Sequence, residues 1–470
     1  MKNKQYLKKF LATGAALAIL LTSALAANSS SWPVYGGNPK HNAVVTNAPT
    51  DPKSGSNAVK LSLTPGTSGW DGVDNVPVMQ TVDGVTYAYV LFDGRGTNGA
   101  QVVKVNCNTG KEEWRTTAQQ TPGSLNAKSG FQLSTPYLDE STGTLYVGVI
   151  SAYTYDPIKD EYLKDSNSKI LALTNLDAAA PTVTPVLTGI NGQINTPIIK
   201  QGNSIYFGTW PGGSNAGAYY QVDVSNTSYA YKTFSPSSYG FYWAGAVSDG
   251  TNIYFGSDNG MLYWRSIANF DTVGGVLNLA DTTTNPKGAT DVGNIRSTVM
   301  LDGTDLYFTS QGGYLWCCGF DDVEEELSIN WKADLGSYTS TSTPTKAGDR
   351  IYVGVYSGFY TGGVKCVSAS SHVVSDVVPV VSNNSFPVQC TVVVKGNGTG
   401  TDYLYFNTNS GANTSLGTVN GAGYCFSYNG SGAGSQVWAT APDTYALGGM
   451  ACDNGYIVFG NDYNSLFIVH

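Results

Sequence analysis

A short phrase recurs along the chain: an apolar residue, an aromatic, a second apolar or aromatic residue, then a small one. It reads TYAYV from Thr86, LYVGV from Leu145, IYFGT from Ile205 and IYFGS from Ile253. It returns as LYFTS from Leu306, IYVGV from Ile351, LYFNT from Leu404 and YIVFGN from Tyr456, eight copies at irregular spacing. A shorter run and a polar turn precede each copy, as with DGTN at 249–252 and AGDR at 347–350. Several of these short runs follow a Thr-Pro pair: Thr135-Pro136, Thr196-Pro197 and Thr343-Pro344. After each copy come a Gly-containing turn, a third run and a more polar fourth. Alternating runs of about six residues bounded by turn residues are β-strands. Four such strands, repeated, make the blade of a β-propeller. The pattern therefore predicts an all-β fold, one β-propeller of four-stranded blades, with eight blades preferred and seven if one repeat is an insertion. The last repeat, from about Ala446, has room for only three strands. The run AVKLSL, Ala58 to Leu63, precedes the first blade and is expected to complete the last one, closing the ring without an open sheet edge.

Composition agrees: 56 Gly, 31 Tyr and only 13% charged residues are strand and tight-turn chemistry. The first ten residues carry Lys2, Lys4, Lys8 and Lys9, an apolar run follows, and Ala24-Leu25-Ala26 ends it. That arrangement predicts a secretory leader over 1–26, an extended segment over 27–57 and the propeller over 58–470. The mature protein is expected outside the cytoplasm, extracellular or periplasmic, with no membrane span. A formal charge of −9 argues against nucleic acid as a partner. The three histidines, His41, His372 and His470, lie far apart, which argues against a histidine metal site or a Ser-His-Asp triad.

The third strand of the first blade carries a family resemblance. Gln101 to Trp114 reads QVVKVNCNTGKEEW. It resembles the repeat of quinoprotein-like (PQQ-like) propellers, G-x-L-Y-A-L-D-A-x-T-G-x-x-x-W, with Thr109, Gly110 and Trp114 on its Thr-Gly-x-x-x-Trp and Asn106 in place of its Asp. Other blades keep fragments: GMLYWRSI from Gly260, GYLWCCGF from Gly313, and the late tryptophans Trp331 and Trp438. The resemblance implies that these Trp residues dock between blades and that Gly110 permits a tight turn. Some relatives are PQQ- and Ca²⁺-dependent alcohol or aldose dehydrogenases, and others are envelope assembly scaffolds without cofactor.

Catalytic chemistry is harder to find. Adjacent Cys317 and Cys318 evoke the vicinal disulfide of some quinoprotein dehydrogenases. In the repeat register, however, Cys317 occupies the family's Ala position, as do Cys366 and Cys425 in the next two blades, which reads as core packing. No motif places a catalytic Asp or a Ca²⁺ site. Asp71, Asp74 and Asn75, in WDGVDN, read as solvated turn residues, although loop oxygens of this kind also suit Ca²⁺. GRGTNG at 94–99 matches a dinucleotide fingerprint, but a strand follows it and so predicts a hairpin. The acidic run Asp321 to Glu326 reads as a solvated loop.

The richer signal is aromatic. The loops leading into the innermost strands and the hairpins between second and third strands share one face of a propeller. Here they carry Trp70, Asp71, Phe131, Trp210, Tyr239, Phe241, Tyr242, Trp243, Arg296, Tyr338, Tyr360 and Tyr445. Aromatics with a few polar groups at a concave mouth suit a ligand. Two long insertions, 153–167 and 408–422, are expected on the same face. The sequence thus predicts a secreted module without catalytic residues, metal or cofactor, which binds a protein or glycan through Trp70, Asp71, Trp210, Tyr239, Tyr242, Trp243, Arg296, Tyr338 and Tyr445. The alternatives are a PQQ/Ca²⁺ dehydrogenase and an envelope structural or adhesive protein.

Overall fold

Each recurring phrase forms the second strand of a four-stranded antiparallel sheet, and eight such sheets form a ring. The computed structural model describes residues 30–63, 72–94, 99–116, 133–150, 154–156, 161–163, 168–281, 292–358, 361–379, 386–408, 421–443, 445–463 and 465–470. The leader, Trp70, Asp71, Phe131, Tyr360 and most of both insertions lie outside these residues. The innermost strands of blades 1 to 4 are Val78–Val82, Tyr137–Asp139, Ile199–Gln201 and Val247–Ser248. Those of blades 5 to 8 are Met300–Asp302, Thr345–Ala347, Val393–Lys395 and Ala451–Asp453. Second and third strands are almost wholly buried because sheets pack on both of their faces, whereas outer strands such as Glu326–Asp334 alternate between exposed and covered positions.

The ring closes as the short N-terminal run suggested. Val59–Ser62 pairs antiparallel with Ser465–Val469 and becomes the outer strand of blade 8, with Val59 opposite Ile468. The preceding segment, 30–48, does something the sequence did not announce: it threads the central channel. Ser30–Trp32 adds a fifth strand inside blade 1, and Val44–Val45 runs parallel to Val394 and Lys395 of blade 7. Pro33 accepts a backbone hydrogen bond from Leu138 of blade 2, and Lys40 accepts one from Leu301 of blade 5. Asn42 exchanges two 2.9 Å hydrogen bonds with the backbone of Lys346 in blade 6. His41 is fully buried, its ring nitrogens 2.7 and 2.8 Å from the carbonyls of Tyr35 and Ala246. Gly37 has φ +76°, and a Cβ there would fall 2.5 Å from the Trp32 ring, so the reversal inside the channel requires glycine.

The thiols sit where the repeat register put them. Cys317, Cys366 and Cys425 lie directly across from Tyr307, Tyr352 and Tyr405, one equivalent pair in each of blades 5, 6 and 7. Cys318 faces Leu306 instead, on the other side of the sheet, and all seven cysteines are buried free thiols. Gly94 pairs with Gly99, so the strands on either side of the glycine-rich stretch pair antiparallel.

Candidate functional site

A register common to all blades builds the channel mouth. The residue four positions before each innermost strand begins lines a single cavity there. The polar members of this ring are Asp74, Asn195, Arg296, Thr341 and Gln389; Leu133, Trp243 and Leu447 complete it. Below them lies Tyr35 of the threaded segment, its hydroxyl 2.6 Å from Thr391 Oγ1 and 3.2 Å from Thr343 Oγ1. The Thr-Pro motifs belong here as well: Thr135 Oγ1 accepts from the Val76 amide at 3.2 Å, and Thr196 Oγ1 accepts from the Gly208 amide at 2.7 Å.

Four of the sequence-predicted residues come together on the blade 3–5 side. Arg296 donates to both oxygens of Asp258, at 2.9 and 2.7 Å, and lies 4.4 Å over the Tyr242 ring. Trp210 Nε1 donates to Asp258 at 3.1 Å, and the Trp210 and Tyr242 rings meet edge to face at 5.0 Å. Trp243 packs on Tyr242 at 4.9 Å and turns into the mouth, holding φ +58°. Burial weakens the hold of Arg296 on its proton, but the hydrogen bonds and charge of Asp258 outweigh it, and the guanidinium stays charged. Asp258 went unrecognised in the sequence. Its signal was the repeated Phe-Gly-x-Asp, which reads Phe255-Gly256-Ser257-Asp258 in blade 4 and Phe459-Gly460-Asn461-Asp462 in blade 8.

The other aromatic candidates lie apart from this cluster. Tyr239, at φ +65°, is tied by its backbone to Ser214 and Gly217. Tyr338 carries Lys365 5.1 Å from its ring, and Tyr445 accepts a backbone hydrogen bond from Asp462. Trp70 and Asp71 lie outside the described residues. Among the family-motif residues, Thr109 donates its amide to Asn106 Oδ1, and Gly110 turns the chain at φ +64°. Trp114 Nε1 donates to Leu176 O of blade 2 at 2.9 Å, Trp438 Nε1 to Pro49 O at 3.0 Å, and Trp331 stacks on His372 of blade 6 at 4.3 Å.

One expectation needs correction. Asp74 and Asn75 are not solvated turn residues; they are 3% and 2% exposed. The chain leading into blade 1 turns inward at Val73, whose amide bonds to Asn461 O of blade 8, and this carries both side chains into the seam between the two blades. Burial raises the proton affinity of the Asp74 carboxyl, opposed in part by a side-chain hydrogen bond with Asp462.

No family model and no curated protein matches the chain in sequence. Solved structures do match. The chain is similar to a europium-containing methanol dehydrogenase (TM-score 0.59, 10% identity, 92% of this chain and 89% of that one). It is similar to the quinohemoprotein alcohol dehydrogenase ADHIIG of Pseudomonas putida HK5 (0.53, 11%, 93% and 76%). It also resembles Chaetomium thermophilum Sqt1 bound to the N-terminus of ribosomal protein L10 (0.52, 11%, 82% and 93%). The likeness is one of fold: a β-propeller of four-stranded blades. The cofactor chemistry of the dehydrogenases does not fit the mouth. The cavity holds about 40 Å³, room for a few waters and far less than a fused tricyclic quinone needs. Among the described residues the ring's one cation, Arg296, is committed to Asp258 and so is not free for a quinone's carboxylates. The Cys317-Cys318 pair lies on the third strand of blade 5, two strands out from the channel.

Proposed function

We propose that this chain is a non-catalytic binding module that docks a protein partner on the mouth face, through Trp210, Tyr242, Trp243 and Arg296. The observation that carries the reading is the interlocked cluster: Tyr242 lies over a guanidinium whose charge Asp258 balances, and Trp210 and Trp243 pack on Tyr242. Such a surface offers rigid apolar area with little left to desolvate, the character of an interface hot spot. The narrow cavity behind it favours docking across the mouth over capture of a small molecule. In Sqt1, a propeller of similar build, the bound ligand is the N-terminus of a protein. The same reading places the encounter outside the cytoplasm, in keeping with the leader-like N-terminus.

A photo-crosslinking residue at Tyr242, with a second at the exposed outer-strand position Val276 as control, tests this in cells of the source organism. The expected result is one partner crosslinked at 242 and absent at 276. Affinity for that partner should fall about 30-fold in Trp243→Ala, the loss of a hot spot. Identical patterns at the two positions, or dye-linked alcohol oxidation after addition of PQQ and Ca²⁺, would overturn the proposal.

A further inference from the structure

At the end of the channel away from the mouth, some neighbouring inner strands are joined by charge. Asp139, the last residue of the blade 2 strand, pairs at 2.8 Å with Lys200, the middle residue of the blade 3 strand. Asp302, last in blade 5, pairs with Lys346, the middle residue in blade 6. The two lysines hold one register position, opposite Ile205 and Ile351, the first residues of the recurring phrase. Blade 8 keeps the acid, since Asp453 ends its inner strand. Blade 1 lacks the base: opposite Thr86, at the lysine register, stands Thr81. Thr81 donates its hydroxyl to Asp453 Oδ2 at 2.7 Å. Among the described residues no other side chain bonds to that carboxylate, and Asp453 is only 5% exposed.

Beside Asp453 the threaded segment leaves a second cavity, of about 570 Å³, walled by Ser30, Ser31, Trp32, Thr46 and Asn47 together with Thr81. Sites for small organic molecules span about 300–1,000 Å³. Among the described residues no lysine, arginine or histidine lines this one. Lys395, near Cys452, gives its ammonium to Ala48 O at 3.0 Å. A buried carboxylate without a cation is costly, and blades 3 and 6 show the cation that the fold sets at this register, a primary ammonium. The space left around it is bordered by hydroxyls, an amide and an indole ring. We propose that this cavity binds a small hydroxylated organic cation. Its ammonium group takes at Asp453 the place that Lys200 and Lys346 fill at Asp139 and Asp302, and its hydroxyls meet the serine, threonine and asparagine side chains. The site lies at the opposite end of the channel from the docking face and stands independently of it.

The probes are D-glucosamine and ethanolamine, with N-acetyl-D-glucosamine, D-glucose and potassium ion as controls, titrated calorimetrically at pH 6 into the full chain as isolated from cells. Saturable binding of a hydroxylated amine, and none of the three controls, is expected. Asp453→Asn should weaken that binding at least tenfold. Thr81→Lys, which builds the blade 2–3 ion pair into the blade 8–1 seam, should abolish it and raise Tm. Thr46→Trp, which fills the cavity without touching Asp453, should abolish it as well and carries the comparison if either other variant fails to fold. Absence of binding by both amines, equal binding of N-acetyl-D-glucosamine or D-glucose, or binding of potassium in their place would each overturn the assignment. So would amine binding unchanged in Asp453→Asn or surviving in a folded Thr81→Lys protein.

Discussion

Replacing Arg296 with alanine tests whether the mouth cluster is one interlocked unit. Asp258 keeps 3% side-chain exposure and Arg296 22%. Without the guanidinium, the carboxylate retains a single side-chain donor among the described residues, Trp210 Nε1 at 3.1 Å. Breaking a sealed ion pair from one side costs roughly 3–5 kcal/mol. Arg296 is partly wet and its removal admits water, so the expected loss is about 2–3 kcal/mol. Unfolding entropy of about 2.1 cal/mol/K per residue gives roughly 0.9 kcal/mol per degree for a chain of this length, so Tm should fall by about 3 °C. Asp258→Asn leaves an arginine that water can reach and should cost about 1 kcal/mol. The informative protein is the double variant. With no charge stranded, it should be more stable than Arg296→Ala alone, a coupling of about 1–2 kcal/mol. Calorimetry of the four proteins at pH 7 measures this. A double variant less stable than Arg296→Ala would refute the reasoning, because the carboxylate would then not need its cation.

Three further outcomes follow. Asp139 is pulled both ways: burial raises its pKa, but hydrogen bonds from Lys200, Ser141 and Thr142 and the Lys200 charge, 2.8 Å away, leave it below the ordinary carboxylate value. Its contribution is therefore present above the unfolded pKa and lost as pH falls through the folded one, so the Tm gap between wild type and Asp139→Asn should shrink on acidification; a constant gap would contradict this. Burial pushes the thiols of Cys107, Cys317, Cys366, Cys390 and Cys425 up to about 12, so a thiol-reactive dye at pH 8 should leave the folded protein unlabelled and find seven thiols after denaturation. Rapid labelling of any one in the folded state would disprove its burial. Gly460→Ala places a methyl 2.2 Å from Val73 and should destabilise by about 1–3 kcal/mol on thermal unfolding, whereas Gly143→Ala, with open space around it but φ +62°, should cost about 1 kcal/mol from the backbone alone.

The blades were legible because their signals are local. A phrase such as Ile351-Tyr352-Val353 carries its own alternation, and a turn such as Asp249-Gly250 marks its own boundary. The thiol positions were legible for the same reason, since Cys317, Cys366 and Cys425 fall at one register position of one repeated strand. The channel segment was not. Many of its bonds are backbone bonds to strands far along the chain, as between Lys40 and Leu301 or Ala43 and Val394, and no side-chain pattern announces them. The mouth was half legible. Trp210, Tyr242, Trp243 and Arg296 were visible as loop aromatics and a cation, but Asp258 lies 38 residues before its partner and looks like any turn aspartate. Burial of Asp74 depends on the seam between the first and last blades, which exists only once the ring has closed.

That closure gives the molecule an order of events in time. Val59 waits for Ile468, and Val44 waits for Val394, so strands ahead of the first blade pair with strands of the last two. While the intervening chain is being made, blade 1 stands with no neighbour on one side and the future closing strand stays unpaired, an exposed edge of the kind that aggregates. The ring cannot be finished blade by blade; it is sealed in one act after residue 469 is released. A finished toroid is thus its own certificate that the chain has been made through its closing strand, and a chain lacking Ser465–Val469 leaves the seam unsealed.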